Sequence, residues 1–382
     1  MAINPFTERG TPIEKQWQPI RQVVVDHYDK DQVDEYSRLR AIWAYGMETE
    51  QWFFYHHLAR HNADDEIRNV AAQIRRTEDQ HRSGSTFFFD PNSTIPQLTI
   101  AYEHLAVDLT AAAAKDEPDP YVKQVFDYGL LEDFDHLCRF SLLLQRLENK
   151  DANDITRGLV EIKPGRPTWE EHIHPLDTMR NFFDAKKADP LTRLHAMAVL
   201  GAEQQTRQYY ASEAYWMSDP DARLLYAEIG QIEEQHVSQY EAIIDPRSNW
   251  LEMAIDHEYN EIYSYNGFLQ QEKNPKMRAM WEEHLSEELE HLRLWNELYQ
   301  KRDGMDGRQL WPEQLPKPIS LQPSKDYVNQ VLANQVDLRA NYKQFVHKDK
   351  LPRDWASGPY QHAVQADRMP STGFQQLKRR AA

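Results

Sequence analysis

Six acidic and imidazole side chains recur in the same order 155 residues further along the chain. Glu48, Glu78, His81, Glu103, Asp133 and His136 reappear as Glu203, Glu233, His236, Glu258, Glu288 and His291. Each half reads as a lone Glu followed thirty residues later by Glu-x-x-His, then a second lone Glu and a second acid-x-x-His, again thirty apart. Residues at i and i+3 share a helix face, so each acid-x-x-His presents a carboxylate and an imidazole to one point. Carboxylates can bridge two cations while each imidazole ends one. Hard oxygen and borderline nitrogen donors, with coordination positions left open, suit iron or manganese that must meet dioxygen or peroxide. The pattern is that of a carboxylate-bridged two-metal site inside a helical bundle, written twice.

One acid-x-x-His is a weak signal, more often a surface pair, and Glu171-x-x-His174 reads as such a chance match. Four copies in register, each preceded by an unpaired Glu, favour metal. The competing reading is a duplication that preserved spacing while both sites became solvated polar faces. Elsewhere the halves diverge: Trp52 aligns with Arg207 and Cys138 with Arg293. The twelve positions keep their chemistry, and the one change, Asp133 for Glu288, only shortens the carboxylate's reach. Both sites are therefore expected to bind metal, with the first-half set altered in geometry or reactivity.

Helices must carry these residues. Asp119-Pro120, Asp189-Pro190, Asp219-Pro220 and Asn274-Pro275 each place a capping side chain before a proline suited to the first helical turn. Several such markers obey the offset: Asp64 with Asp219, Asp90-Pro91 with Asp245-Pro246, Ser93 with Ser248, and Pro120 with Pro275. The spacing predicts helices over 31–61, 64–88, 94–115 and 120–148, then 190–217, 220–243, 249–271 and 275–301. Apolar residues recur at helical spacing, as in Leu130, Phe134, Leu137 and Leu144. The expected fold is all-α with strands nearly absent, as two tandem four-helix bundles at 31–148 and 190–301. Residues 1–30 form a lead-in, 149–189 a linker, and 302–382 an irregular C-terminal extension with one amphipathic helix near Lys325 to Phe345.

Composition bounds the rest. The 382 residues carry a net charge of −17, which argues against nucleic acid or an anionic membrane as partner. The one basic cluster is Lys378 to Arg380. Four divalent cations would offset the eight carboxylates among the repeated positions. Cys138 is the single cysteine, so a disulfide framework, a four-cysteine metal site and an iron–sulfur cluster are excluded within one chain. The start lacks the basic and apolar runs of a signal peptide, and no apolar run nears membrane-spanning length, so a cytoplasmic protein is expected.

Other residues have a plainer reading. Tyr45, Tyr102 and Tyr259 lie near ligand positions but are expected to be packed tyrosines. Glu261, one turn after Glu258, is expected to face solvent rather than to act as a further ligand. His56, His57, His172, His174 and His284 have no acid in register and read as surface or packing histidines. Cys138 is expected to pack as a small apolar side chain. The many tryptophans and tyrosines are explained mostly by ordinary core use.

The pattern resembles the ferritin-like di-iron carboxylate superfamily, which includes ferritins, rubrerythrins, the small ribonucleotide reductase subunit and bacterial di-iron oxygenases. The resemblance covers 31–148 and 190–301 and implies four-helix bundles, each holding a di-iron or iron–manganese centre that reacts with dioxygen or peroxide. By position it implies Glu48 and Glu103 as single-helix carboxylates, Glu78 and Asp133 as bridging acids, and His81 and His136 as terminal ligands. In the second half the same roles fall to Glu203 and Glu258, to Glu233 and Glu288, and to His236 and His291. A single cysteine departs from the rubrerythrin type, which carries a four-cysteine iron module. The links at 90–93 and 245–248 also depart, since family bundles need a long crossover there. Glu78 and Glu103 each stand ~15–18 Å from the turn at the helical rise, so an antiparallel hairpin would level them. Alternatively, helices 1–2 of one half pack with helices 3–4 of the other.

The function this implies is an oxidoreductase that uses dioxygen or peroxide on a small organic substrate the sequence does not identify. An external electron donor and a homodimer are both compatible with it. The alternatives are iron or peroxide handling of the ferroxidase or scavenging type, and a non-catalytic structural subunit of an oxygenase complex. The last predicts lost ligands, which the sequence does not have.

Overall fold

A computed structural model describes residues 3–163 and 172–365. Twelve α-helices fall among these residues. They are α1 Ile20–Val23, α2 Glu35–His61, α3 Asp65–Phe87, α4 Ile95–Asp116, α5 Pro120–Glu148, α6 Ala152–Thr156, α7 Pro190–Glu213 and α8 Pro220–Ile243. Then come α9 Trp250–Gln271, α10 Pro275–Asp303, α11 Lys325–Gln335 and, after a two-stranded antiparallel hairpin, α12 Ser357–Gln365. The hairpin pairs β1 Leu338–Asn341 with β2 Gln344–His347. The fold is all-α apart from that hairpin, and no helix among the described residues is long and apolar enough to cross a membrane.

The caps are those the sequence announces. Asp64, Asp119, Asp219 and Asn274 each accept backbone N–H groups from the first turn of the helix that follows. Asp34 does the same for α2. Each satisfies donors the helix leaves unpaired, and the four aspartates also place an acid at the positive end of the helix dipole.

The chain forms two compact units that do not follow the expected division at 31–148 and 190–301. Unit 1 comprises residues 1–92, 184–201 and 245–320, and unit 2 comprises 93–183, 202–244 and 321–382. The short links at 90–93 and 245–248 are where the chain changes unit, so no long crossover is needed. In unit 1, α2 packs on α3 and α9 on α10, with α2 also against α9 and α3 against α10. In unit 2, α4 packs on α5, and α5 also meets α8 and α11.

Three segments depart from expectation. Residues 1–30 and 149–189, expected as a lead-in and a linker, also carry contacts that obey the 155-residue offset. Gln18 N–H donates to Gln80 and Ile173 N–H to Gln235, while Tyr28 N–H donates to the Phe88 carbonyl and Phe183 N–H to that of Ile243. The amphipathic helix near Lys325 to Phe345 stops at Gln335, and the rest forms the hairpin, with Tyr342 in the left-handed region at φ 53° making its turn. The C-terminal extension divides: Pro312 and Lys317 accept from Tyr259 and Tyr263 on α9 of unit 1, whereas Tyr327 donates to Asp127 on α5 of unit 2.

Candidate metal centres

Six of the twelve predicted ligands converge in unit 1. Glu48 comes from α2, Glu78 and His81 from α3, Glu258 from α9, and Glu288 and His291 from α10. The other six converge in unit 2: Glu103 from α4, Asp133 and His136 from α5, Glu203 from α7, and Glu233 and His236 from α8. None of the twelve is more than 3% exposed, which rules out two solvated polar faces. Each cluster therefore takes helices from both halves of the sequence. Glu48 pairs with Glu258 and Glu203 with Glu103, rather than Glu48 with Glu103 as a self-contained first half would require.

In site 1, the unit 1 cluster, two carboxylates lie between two imidazoles. Glu78 sets Oε1 3.0 Å from His291 Nδ1 and Oε2 3.4 Å from His81 Nδ1. Glu288 sets Oε1 2.9 Å from His81 Nδ1 and Oε2 2.8 Å from His291 Nδ1. Glu48 stands 3.5 Å from His81 and Glu258 3.6 Å from His291, one at each end. In site 2, the unit 2 cluster, Glu233 spans the histidines, at 2.9 Å from His136 Nδ1 and 3.3 Å from His236 Nδ1. Asp133 reaches His236 Nδ1 at 3.4 Å through one oxygen and accepts from the Thr110 hydroxyl at 3.2 Å through the other. The missing methylene thus leaves a mark: Asp133 keeps one oxygen for the cluster where Glu288 offers two.

The outer ring nitrogens show how the imidazoles are aimed. His81 Nε2 lies 2.6 Å from Glu287, His236 Nε2 lies 2.8 Å from Glu132, and His291 Nε2 lies 2.8 Å from Gln16. A polar partner on the far nitrogen fixes the tautomer and leaves Nδ1 as the lone-pair donor toward the cluster.

Electrostatics set these groups against one another. Burial pushes the carboxyls of Glu48, Glu258, Glu103 and Glu203 well above the usual range. Burial acts the same way on Glu78 and Glu288, but His291 and His81 outweigh it and hold both low. Burial lifts Asp133 to about 7. Burial opposes the charged form of His81, His236 and His291, yet Glu48, Glu203 and Glu288 respectively raise them well above the ordinary imidazole value.

A pair of divalent cations fits both clusters. Both oxygens of Glu78, one each of Glu48, Glu258 and Glu288, and His81 Nδ1 are buried without a hydrogen-bond partner in site 1. So are one oxygen each of Glu103, Asp133, Glu203 and Glu233, and His236 Nδ1, in site 2. Buried carboxylates left this way are costly unless paired or metal-bound. Four carboxylates per site neutralise two divalent ions, and the imidazoles complete a mixed oxygen and nitrogen donor set.

No protein family, curated protein or solved structure matches the chain.

Several site residues escaped the sequence reading. Glu132 and Glu287 occupy equivalent positions, each one residue before a ligand acid, and the offset could have revealed them. Tyr55 and Tyr210 are also equivalent, seven residues after Glu48 and Glu203, and donate to Glu258 and Glu103. Tyr265 donates to Glu48 in site 1, where site 2 has Thr110. His284 was read as a packing or surface residue, but it stacks on His81 at 3.9 Å and contacts Tyr265. Its counterpart is Gly129, where the Tyr240 hydroxyl occupies the space a Cβ would need. Glu261 corrects an expectation outright. It is 1% exposed rather than solvent-facing, and neither carboxylate oxygen has a hydrogen-bond partner. Burial, then Glu78 and Glu288, push it up; site 2 has Ala106 there.

The plainer readings divide. Tyr45 packs edge-on to Phe89, Tyr102 stacks on Tyr209, and Tyr259 stacks on Trp311. His56 and His57 pack against Trp52 and His61, and His174 caps the turn at Pro175–Asp177. His172 is buried 3.5 Å from Glu228. Cys138 is fully buried, and burial pushes its thiol up to about 12. Glu171 lies outside the described residues.

Proposed function

We propose that the chain is a ferritin-like di-metal carboxylate oxidoreductase with two centres, using dioxygen or peroxide to oxidise a small organic substrate. The observation that carries this reading is the paired aim of the histidines: Nδ1 into a buried carboxylate cluster, and Nε2 onto Glu287 or Glu132. The family resemblance supplies iron, manganese or a mixed pair as the metals. Glu48, Glu78, His81, Glu258, Glu288 and His291 would hold the metals in site 1, and Glu103, Asp133, His136, Glu203, Glu233 and His236 those in site 2.

Bound iron or manganese would supply the electrons for reducing dioxygen or peroxide. The chain's own residues hold and shield. Glu287 and Glu132 fix ring orientation. Tyr55, with Trp295 Nε1 donating to its hydroxyl at 2.8 Å, anchors Glu258. The buried Phe268 and Trp281 rings pack on Tyr265 and keep water from the Glu48 end. Glu261 is a fifth carboxylate, available to site 1 only, which supports unequal roles for the two centres.

The test is anaerobic loading with ferrous iron followed by dioxygen uptake. The wild-type chain should consume dioxygen, and Glu78→Ala/His81→Ala should lose the site 1 share of it. Uptake that proceeds equally in that variant would overturn the assignment for site 1. A ferroxidase reading has one observation in its favour, the acids at the mouth of a cavity reaching His81. It predicts ferric product accumulating with no organic co-substrate consumed.

A further inference from the structure

A cavity of about 470 Å³ lies in unit 1 between the α1 segment, α3 and α10. Its volume is in the range of small-molecule sites and far above what an ion needs. The inner wall is apolar where Val23, Gly84 and Phe88 are buried, and Met280 closes one side. Its buried polar residues are His81 and His284, the stacked imidazoles at the edge of site 1, and Glu287, which holds His81 Nε2. The mouth is acidic. Lys276 there is paired with Asp26 at 2.7 Å and Glu287 further in with His81 at 2.6 Å, which leaves Glu283, accepting from the Gln18 amide rather than from a cation.

Among the described residues, unit 2 carries larger side chains at the equivalent positions. Gly84 corresponds to Gln239, Val25 to Arg180, and Glu283 to Tyr128. The Arg180 guanidinium donates to Gln239 Oε1 at 2.8 and 3.2 Å and lies over the rings of Phe345 and Tyr128. The hairpin strand β1 adds Ala340 to that cluster. At these positions unit 1 leaves space beside its site where unit 2 carries larger side chains.

We propose that the unit 1 cavity binds a small organic ammonium ion with an apolar body. The ammonium sits at the mouth against Glu283, and the body runs inward along Val23, Gly84 and Met280 toward His81 and His284. The acidic mouth excludes carboxylates and phosphates, and the apolar wall favours an organic cation over a bare metal ion. For its chemistry the proposal rests on site 1 being a metal centre; for binding it does not.

The experiment is calorimetric titration of the full chain, both chelator-treated and anaerobically iron-loaded, with phenethylamine, phenethyl alcohol, 3-phenylpropionate and Mn²⁺. Phenethylamine should bind at one site per chain in both forms, about ten-fold or more tighter than the alcohol, the scale of one charged contact, with no binding of the carboxylate. Glu283→Gln should bring amine and alcohol to equal affinity. Gly84→Gln, which installs the unit 2 residue, should abolish binding, and Met280→Trp provides a second block should the first misfold. Equal binding of the carboxylate, or amine binding unchanged in both folded blocking variants, would overturn the proposal. So would Mn²⁺ binding to the chain that is lost in Glu283→Gln while the amine fails to bind, since the cavity would then be an ion passage. Amine binding by a chain that takes up no metal on iron loading would refute the metal reading alone, whereas no amine binding in a metal-loaded chain would refute this proposal alone.

Discussion

Glu287 holds Nε2 of His81 at 2.6 Å, and this contact decides which ring nitrogen of His81 faces site 1. Glu132 holds His236 in the same way at 2.8 Å, 155 residues earlier in the chain. Outer carboxylates of this kind typically contribute about 10–100-fold to metal affinity. Glu287→Ala should therefore weaken the site 1 metals by about 10–100-fold and leave site 2 unchanged, with Glu132→Ala giving the converse. Competition against a chelator of known affinity, read with each variant, checks both. Equal weakening of both sites by one substitution would contradict the pairing.

Stability has its own acid in unit 1. Glu272 accepts from the Arg40 guanidinium at 2.9 Å and from the Ser37 hydroxyl at 2.5 Å, with both charged side chains buried. Burial raises Glu272, but Arg40 outweighs it and the carboxyl is held below its ordinary value. A depressed carboxyl stabilises the fold above its unfolded value and loses that contribution as pH falls through the folded value. Glu272→Gln leaves Arg40 buried without its counter-charge and should cost about 3–5 kcal/mol at pH 7. Urea unfolding should show the gap between wild type and variant narrowing below pH 4.5, the ordinary carboxyl value. A gap constant with pH would rule out the ion pair as its source.

Gly129 faces the Tyr240 hydroxyl so closely that an added methyl has no room. Gly129→Ala should destabilise the chain by about 1–3 kcal/mol through overpacking. Tyr240→Phe removes the offending oxygen, so the double variant should recover most of the loss, a coupling that a double-mutant cycle by thermal or urea unfolding reads directly. Additive losses would show that the crowding lies elsewhere.

The sequence made the helices and the residues that converge in the two clusters legible because both are periodic. Predicted 120–148 and 220–243 match α5 and α8, since Asp-Pro caps fix the starts, and Asn149 in the left-handed region ends the first. Chemistry that obeys the offset is readable in principle, including Glu132, Glu287, Tyr55 and Tyr210, but these residues stand outside the acid-x-x-His pattern. What broke the offset was not readable. His284 facing Gly129, Tyr265 facing Thr110 and Glu261 facing Ala106 look like drift in sequence, and only packing reveals that each touches a site. Which helices surround one cluster was also left open, because a 155-residue repeat is equally compatible with self-contained and exchanged arrangements. The hairpin at 338–347 was missed because a short tail segment takes its conformation from the surface it covers, here Tyr128 and Ile173.

The central claim is that two metal pairs exist and that each draws ligands from both halves of the chain. Elemental analysis of folded, iron-loaded protein tests it through two quadruple variants. Glu78→Ala/His81→Ala/Glu258→Ala/Glu288→Ala removes ligands from both halves but from one cluster, so it should keep about two of about four metal ions, the occupancy of a two-metal site. Glu78→Ala/His81→Ala/Glu103→Ala/Asp133→Ala confines its changes to the first half yet strikes both clusters, and it should keep nearly none. The reverse ranking would mean self-contained halves, and a wild-type chain that holds no metal after loading would contradict the account altogether.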